Sequence, residues 1–180
     1  MENNQKRDLT HPVWNVYDDY RTALLNVKIQ KAELKRLRKI NFFIEIPLAI
    51  TASATITGLW IWGTAYGGYI WKILGLISAF LAVLKPLLKF PEKIQQRGEM
   101  LADYSSIEYE LEKIKTLISQ EREYSKKLKE QYLKTIDKKQ QIKAKHTGIK
   151  YLEINPEIKR LCTEEVKKEH PASSFYIPED

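Results

Sequence analysis

Apolar and polar positions divide this chain into two kinds of sequence. Phe42 to Trp62 and Tyr69 to Leu88 are apolar almost without charge, whereas the segments on either side mix apolar and charged residues at helical spacing. A helix needs about 20 mainly apolar residues to cross a bilayer core about 30 Å thick. Each run has that length, so the pattern predicts a transmembrane hairpin with residues 63–68 as its loop. On the insertion scale a central Leu, Ile, Phe or Val contributes about −0.3 to −0.6 kcal/mol and a central charge costs about +2.5 to +3.5. The second run passes easily, with Lys72 and Lys85 near its ends. The first carries Glu45, Thr51, Ser53, Thr55 and Thr57 and is expected to depend on the second for insertion. Pro86 is expected to kink the second span by removing the bond to the carbonyl of Ala82.

Outside the hairpin the spacing is that of amphipathic helices. Residues 1–11 are polar and expected to be disordered. Pro12 then opens a helix over 12–41, with Thr10 upstream as a cap and a stripe of Val13, Tyr17, Tyr20, Leu24, Val27, Leu34 and Leu37 at intervals of three, four or seven. Ile94, Leu101, Tyr104, Leu111, Ile114 and Ile118, then Leu128, Tyr132 and Ile136, continue that pattern and predict one long helix over 92–146. Because the hairpin sets the two stalks side by side, pairing within one chain is preferred to a coil between chains. Asn155-Pro156-Glu157 is a start signal for a short helix over 155–170. In the tail, 171–180, Phe175, Tyr176 and Ile177 suit either packing on the helices or docking to a partner. The predicted fold is therefore an all-α membrane protein: a two-helix transmembrane hairpin with long amphipathic cytosolic helices in a coiled-coil-like bundle.

Charge orients the hairpin. Lys28, Lys31, Lys35, Arg36, Arg38 and Lys39 precede it, Lys89, Lys93 and Arg97 follow it, and the loop holds neither Lys nor Arg. The positive-inside rule then places both termini in the cytoplasm and the protein in the inner (plasma) membrane, with Trp60, Trp62, Tyr66, Tyr69 and Trp71 at the far interface. A mean hydropathy of −0.43 over 180 residues averages a membrane third with a very polar remainder. The polar leader is too long for the charged region of a signal peptide, so no cleavage is expected. The net charge of +7 is concentrated beside the membrane, where anionic lipid headgroups attract basic residues. The Glu residues near Lys126 to Lys145, and the lack of a nucleic-acid-binding motif, argue against nucleic acid. Cys162 alone excludes an internal disulfide and is expected to be a free thiol without a role.

Chemical motifs are sparse. His11, His146 and His170 lie far apart, near helix ends or loops, and are expected at the surface as non-ligands; no phosphate-binding glycine loop or nucleophile elbow occurs. The expectation is a non-enzyme with no cofactor and no metal. Asp18, Asp19 and Arg21 point to different helix faces and predict an ion pair with a neighbouring helix rather than an acid/base dyad.

The candidate site lies in the first span. Ala49, Ser53 and Thr57 recur every four residues, as do Thr51 with Thr55 and Ala54 with Gly58. Small residues allow close helix approach, and hydroxyls bond across such contacts for about 0.6 to 2 kcal/mol. One small face would suffice to pack on Gly75, Ser78, Ala79 and Ala82 of the second span. A second small face suits homo-oligomer contacts or a water-lined pore. Glu45 lies at the depth of Lys85, and an ion pair across the hairpin is preferred to an ion-selecting ring.

Val13-Trp14-Asn15-Val16-Tyr17-Asp18-Asp19-Tyr20-Arg21, Asn26, Leu34-Lys35-Arg36-Leu37, the two spans and the long cytosolic helix together resemble the SLATT family, the SMODS- and SLOG-associating two-transmembrane effector domains of bacterial conflict systems. The resemblance implies a non-enzymatic effector of anti-phage, abortive-infection defence. Such an effector forms pores or disrupts the membrane when a partner or nucleotide-sensing module signals infection. With no fused sensor, the signal is expected from a separate protein, or from a nucleotide second messenger bound by the helices. The competing class is a membrane scaffold whose cytosolic helices recruit a partner without permeabilising anything.

Overall fold

The computed structural model describes the backbone of residues 11–61, 65–147 and 153–178, and the side chains of these except 50–61, 65–72 and 74. Every regular element among the described residues is helical: α1 (Val13–Ile61), α2 (Ala65–Leu88), α3 (Phe90–Glu121), α4 (Lys126–His146) and α5 (Pro156–Glu169), then a short 3-10 turn at Ala172–Ser174. The chain divides into two compact units, one of Met1–Glu33 with Arg97–Asp180 and one of Leu34–Gln96.

The first unit is a helical bundle. Val13, Val16, Tyr17, Tyr20 and Ala23 of α1 pack with Ile107, Leu111, Ile114 and Ile118 of α3, Leu128 and Ile142 of α4, and Phe175 of the tail. Each such large side chain contributes roughly 1.5–3 kcal/mol by leaving water. Pairings fix the directions. Tyr20 meets Lys115, whose ammonium lies 4.1 Å from its ring centre, and Gln30 meets Arg97, so α1 and α3 are antiparallel. Asp103 meets Lys145, and Glu110 meets Lys138 and Thr135, so α4 returns along α3. The stalks of α1 and α3 thus pair within the chain.

The expected single helix over 92–146 is two helices. Arg122 adopts a left-handed φ of 54°, and Ser125 begins α4 from an extended conformation. No Gly or Pro announces the break; its cause is tertiary. An unbroken rod would leave the apolar positions beyond Ile118 without a partner, whereas the fold-back buries Leu128 and Ile142 against α3 and α1. The buried residue in the middle of α4 is Thr135, not Ile136, which is half-buried.

His11 corrects a second expectation. It is buried rather than on the surface, and its Nδ1 accepts the backbone N–H of Val13 at 3.1 Å, capping α1. The expected cap, Thr10, lies outside the described residues. His146 is also largely enclosed, with Nε2 2.8 Å from Asp103 Oδ2, and His170 is half-buried against Tyr20. At α5 the Asn155 side chain accepts from the N–H groups of Glu157 at 2.9 Å and Ile158 at 3.4 Å, with Pro156 in the first turn.

In the second unit α1 carries Pro47 within its length. Helix α2 includes Ala65–Gly68, which the sequence assigned to the loop. Lys89, at a left-handed φ of 48°, separates α2 from α3. Among the described residues no helix is long and apolar enough to cross a membrane.

Candidate functional site

Six large apolar side chains on the described part of α2 are exposed, while Leu81, Leu84 and Leu88 are half-buried. Ile73, Leu76, Ile77, Phe80, Val83 and Leu87 are all exposed, Leu76 by 73 % and Leu87 by 72 %. At 100° per residue they cover an arc of about 120° on one side of the helix. On α1, Phe42 and Phe43 are exposed in the same unit. A continuous apolar surface of this kind marks a binding or membrane-contacting face rather than scattered surface residues. The one buried residue among the described part of α2 is Ser78, whose Oγ has no hydrogen-bond partner among the described residues.

Lys85 Nζ lies 3.3 Å from Glu45 Oε1, so the structure brings this candidate pair together. Both side chains stay about two-fifths to one-half exposed, and surface pairs of that kind contribute about 0–1 kcal/mol in water. The small face expected on α2 is only partly used. Gly75, Ala79 and Ala82 are exposed beside the buried Ser78, and a Cβ added at Gly75 would meet nothing within 4 Å.

Of the candidate pore or packing residues, Ala49 is exposed on α1. Thr51, Ser53, Thr55, Thr57 and Gly58 fall on the α1 helix, and their side chains lie outside the described residues. The candidate docking tail is engaged within the chain. Phe175 is buried and stacks on Tyr17 with ring centres 4.5 Å apart, the Tyr17 hydroxyl donates to the Tyr176 carbonyl at 2.5 Å, and Ile177 packs at the edge of the same core. Docking of Phe175 to another protein would thus require it to leave Tyr17.

Asp19 forms the helix-to-helix contact expected of the Asp18, Asp19, Arg21 cluster. It accepts from Lys139 Nζ at 2.5 Å and from the Tyr132 hydroxyl at 2.7 Å. Burial and that bond to Asp19 push the Tyr132 phenol well up. The hydrogen bond from Lys145, helped by His146, holds the Asp103 carboxyl below the usual carboxylate range. Asp18 and Arg21 remain on α1, 3.9 Å apart. Cys162 is a free, buried thiol, and burial raises its pKa. Among the described residues no group of His, Cys, Asp and Glu gathers as a metal site requires.

One buried cluster has no counterpart in the sequence expectations. Arg97 of α3 is 2 % exposed and donates to Gln30 Oε1 at 2.6 Å and to the Glu153 carbonyl at 3.1 Å. Glu33, also buried, accepts the backbone N–H of Asn155 at 2.6 Å and exerts an attractive field on the guanidinium. The signal was present in the spacing. The apolar stripe of α1 jumps seven residues from Val27 to Leu34, and that of α3 seven from Ile94 to Leu101; Gln30 and Arg97 fill those gaps and bond each other. Polar residues within an apolar seam fix register. Compared with protein-family models, curated proteins and solved structures, the chain has no match in any of the three.

Proposed function

We propose that this chain is a two-span membrane effector of the kind its resemblance to the SLATT family implies. On this reading it is non-enzymatic, lies in the inner membrane with both termini cytoplasmic, and assembles into a homo-oligomer that permeabilises the membrane during defence against phage. The observation that carries the reading is the outward apolar arc of α2, where Leu76, Phe80, Val83 and Leu87 face away from the protein. In water such a surface drives aggregation; against acyl chains it is the expected lipid face. The basic residues at either end of the hairpin are then positioned for anionic headgroups.

Mechanistically, the bundle of α1, α3, α4 and α5 holds a quiet state, and a partner protein or small messenger repacks it. The hairpins of several copies then rearrange, with the open face of Gly75, Ala79 and Ala82 available for close helix contact and the Thr and Ser residues of α1 lining the leak. Glu45 and Lys85 neutralise one another at the cytoplasmic edge.

Replacing Thr51 and Thr55 together with Leu tests the proposal. The variant should stay in the membrane fraction while dye entry into expressing cells is lost. A scaffold that merely recruits a partner would keep its activity after the change. If the wild-type chain, overproduced or triggered, leaves membrane potential and dye exclusion unaltered, permeabilisation is refuted.

A further inference from the structure

The segment from Glu153 to Pro178 lies along α1 in an ordered, antiparallel sequence of contacts. Asn155 N–H bonds Glu33, Glu165 and Glu169 bond Lys28 Nζ at 2.6 and 2.7 Å, His170 stands edge-on to Tyr20 at 5.5 Å, and Phe175 with Tyr176 holds Tyr17. The contacts reach from Glu33 back to Tyr17, about 24 Å of helix at 1.5 Å per residue. Cys162 and Val166 supply the buried face of α5.

The start of the segment does more than cover α1. Glu33 and Arg97 are the residues at which the chain leaves and re-enters the bundle unit. At that end α1 and α3 are joined through Gln30 and Arg97, and the segment adds a third side: its Glu153 carbonyl accepts from Arg97 while its Asn155 N–H donates to Glu33. Detaching the segment removes one acceptor from a buried guanidinium and one donor from a buried carboxylate. At that end the segment thus bridges α1 and α3, touching Glu33 of the one and Arg97 of the other.

We propose that residues 153–178 form an autoinhibitory clasp that sets the spacing of α1 and α3 where they leave the bundle, and that its release is the step that frees the hairpin. The regulatory half of this statement rests on the effector reading above; the structural half does not. Release exposes Cys162, Val166 and Phe175 together with the part of α1 they cover, so a competing protein surface has to present both apolar and acidic groups to Tyr17 and Lys28. A trigger would act by occupying Tyr17, Lys28 and Glu33 in place of the segment.

The test uses the full chain, with Cys162→Ala, spin labels at the exposed positions Lys31 and Glu99, and circular dichroism to establish that helix content is kept. The releasing variant is K28E/F175A; the control is the charge swap K28E/E165K/E169K. Release should speed proteolysis of the segment about tenfold. It should also lengthen the distance between the labels by about 5 Å, roughly half a helix-packing distance. The swap should match wild type in both readouts. A freed segment with an unchanged label distance overturns the clasp, as does a swap that behaves like the releasing variant. Dye entry measured in parallel separates the two ideas: a longer label distance without leak, in cells where no form of the chain leaks, upholds the structural clasp and removes the effector reading.

Discussion

Within Met1–Glu33 and Arg97–Asp180, Tyr17, Leu111 and Ile118 are fully buried and the charged residues reach outward or pair. Within Leu34–Gln96, Leu76, Phe80 and Leu87 are mostly exposed, and the buried residue on the described part of α2 is a serine. Helical periodicity is the same in both, so the inversion does not come from secondary structure. On the proposed function it comes from which side chains the surroundings accept. The bundle has the arrangement that water selects, and α2 has the one that hydrocarbon would select. Apolar burial within one chain thus explains the first unit, and for the exposed face of α2 the proposed function supplies lipid.

The strongest way to break this contrast is to charge the outer face of α2. L76R/F80R should cost insertion about 5–7 kcal/mol, from about 2.5–3.5 for each central charge, and should move the chain out of the alkali-resistant membrane fraction. If α2 instead faces water, the same exposed substitutions should change stability by no more than about 0.5 kcal/mol and improve solubility. Within the bundle, Leu111→Ala should cost about 2–5 kcal/mol in denaturant unfolding through the cavity it leaves, without altering the membrane fraction.

A finer test lies in the aromatic seat of the tail. Burial, followed by the Tyr176 charge for Tyr17 and by Glu112, Glu108 and Glu169 for Tyr20, pushes both phenols up to about 12. An unfolded tyrosine loses its proton near pH 10. Between about pH 10 and 12 the folded chain therefore holds more protons than the unfolded one, and stability falls as pH rises; below about pH 10 this contribution is fully present. Tyr17→Phe should lower stability by about 1 kcal/mol at neutral pH through the lost bond to Tyr176. It should also make the alkaline decline shallower, which a pH series of thermal melts would read.

The parts legible in the sequence were those that local chemistry decides. Apolar runs, the Asn155-Pro156 start of α5 and the stripe of α1 and α3 follow from composition and spacing, because capping and periodicity act over a few residues. Asp19 could be expected to reach another helix, but Lys139 and Tyr132 could not be named as its partners, since they become neighbours only after α4 folds back. The break at Arg122 was hidden for the same reason: a left-handed arginine is locally unfavourable and is held by the packing of Leu128 and Ile142 beyond it. Arg97 was counted with the membrane-flanking charges because basic residues after a span usually are. Its burial depends on Gln30 and Glu153, which are remote in sequence. His11 was assigned to the surface because a lone histidine near a helix start carries no sign that its ring will cap that helix.

Topology tests the central claim most directly. In a Cys162→Ala chain with a single cysteine at Thr64 or at Ser173, a membrane-impermeant maleimide applied to intact expressing cells should label the first position and spare the second until the membrane is opened. Equal labelling of both, or protection of Thr64→Cys in intact cells, would contradict a hairpin that crosses the membrane with its ends inside.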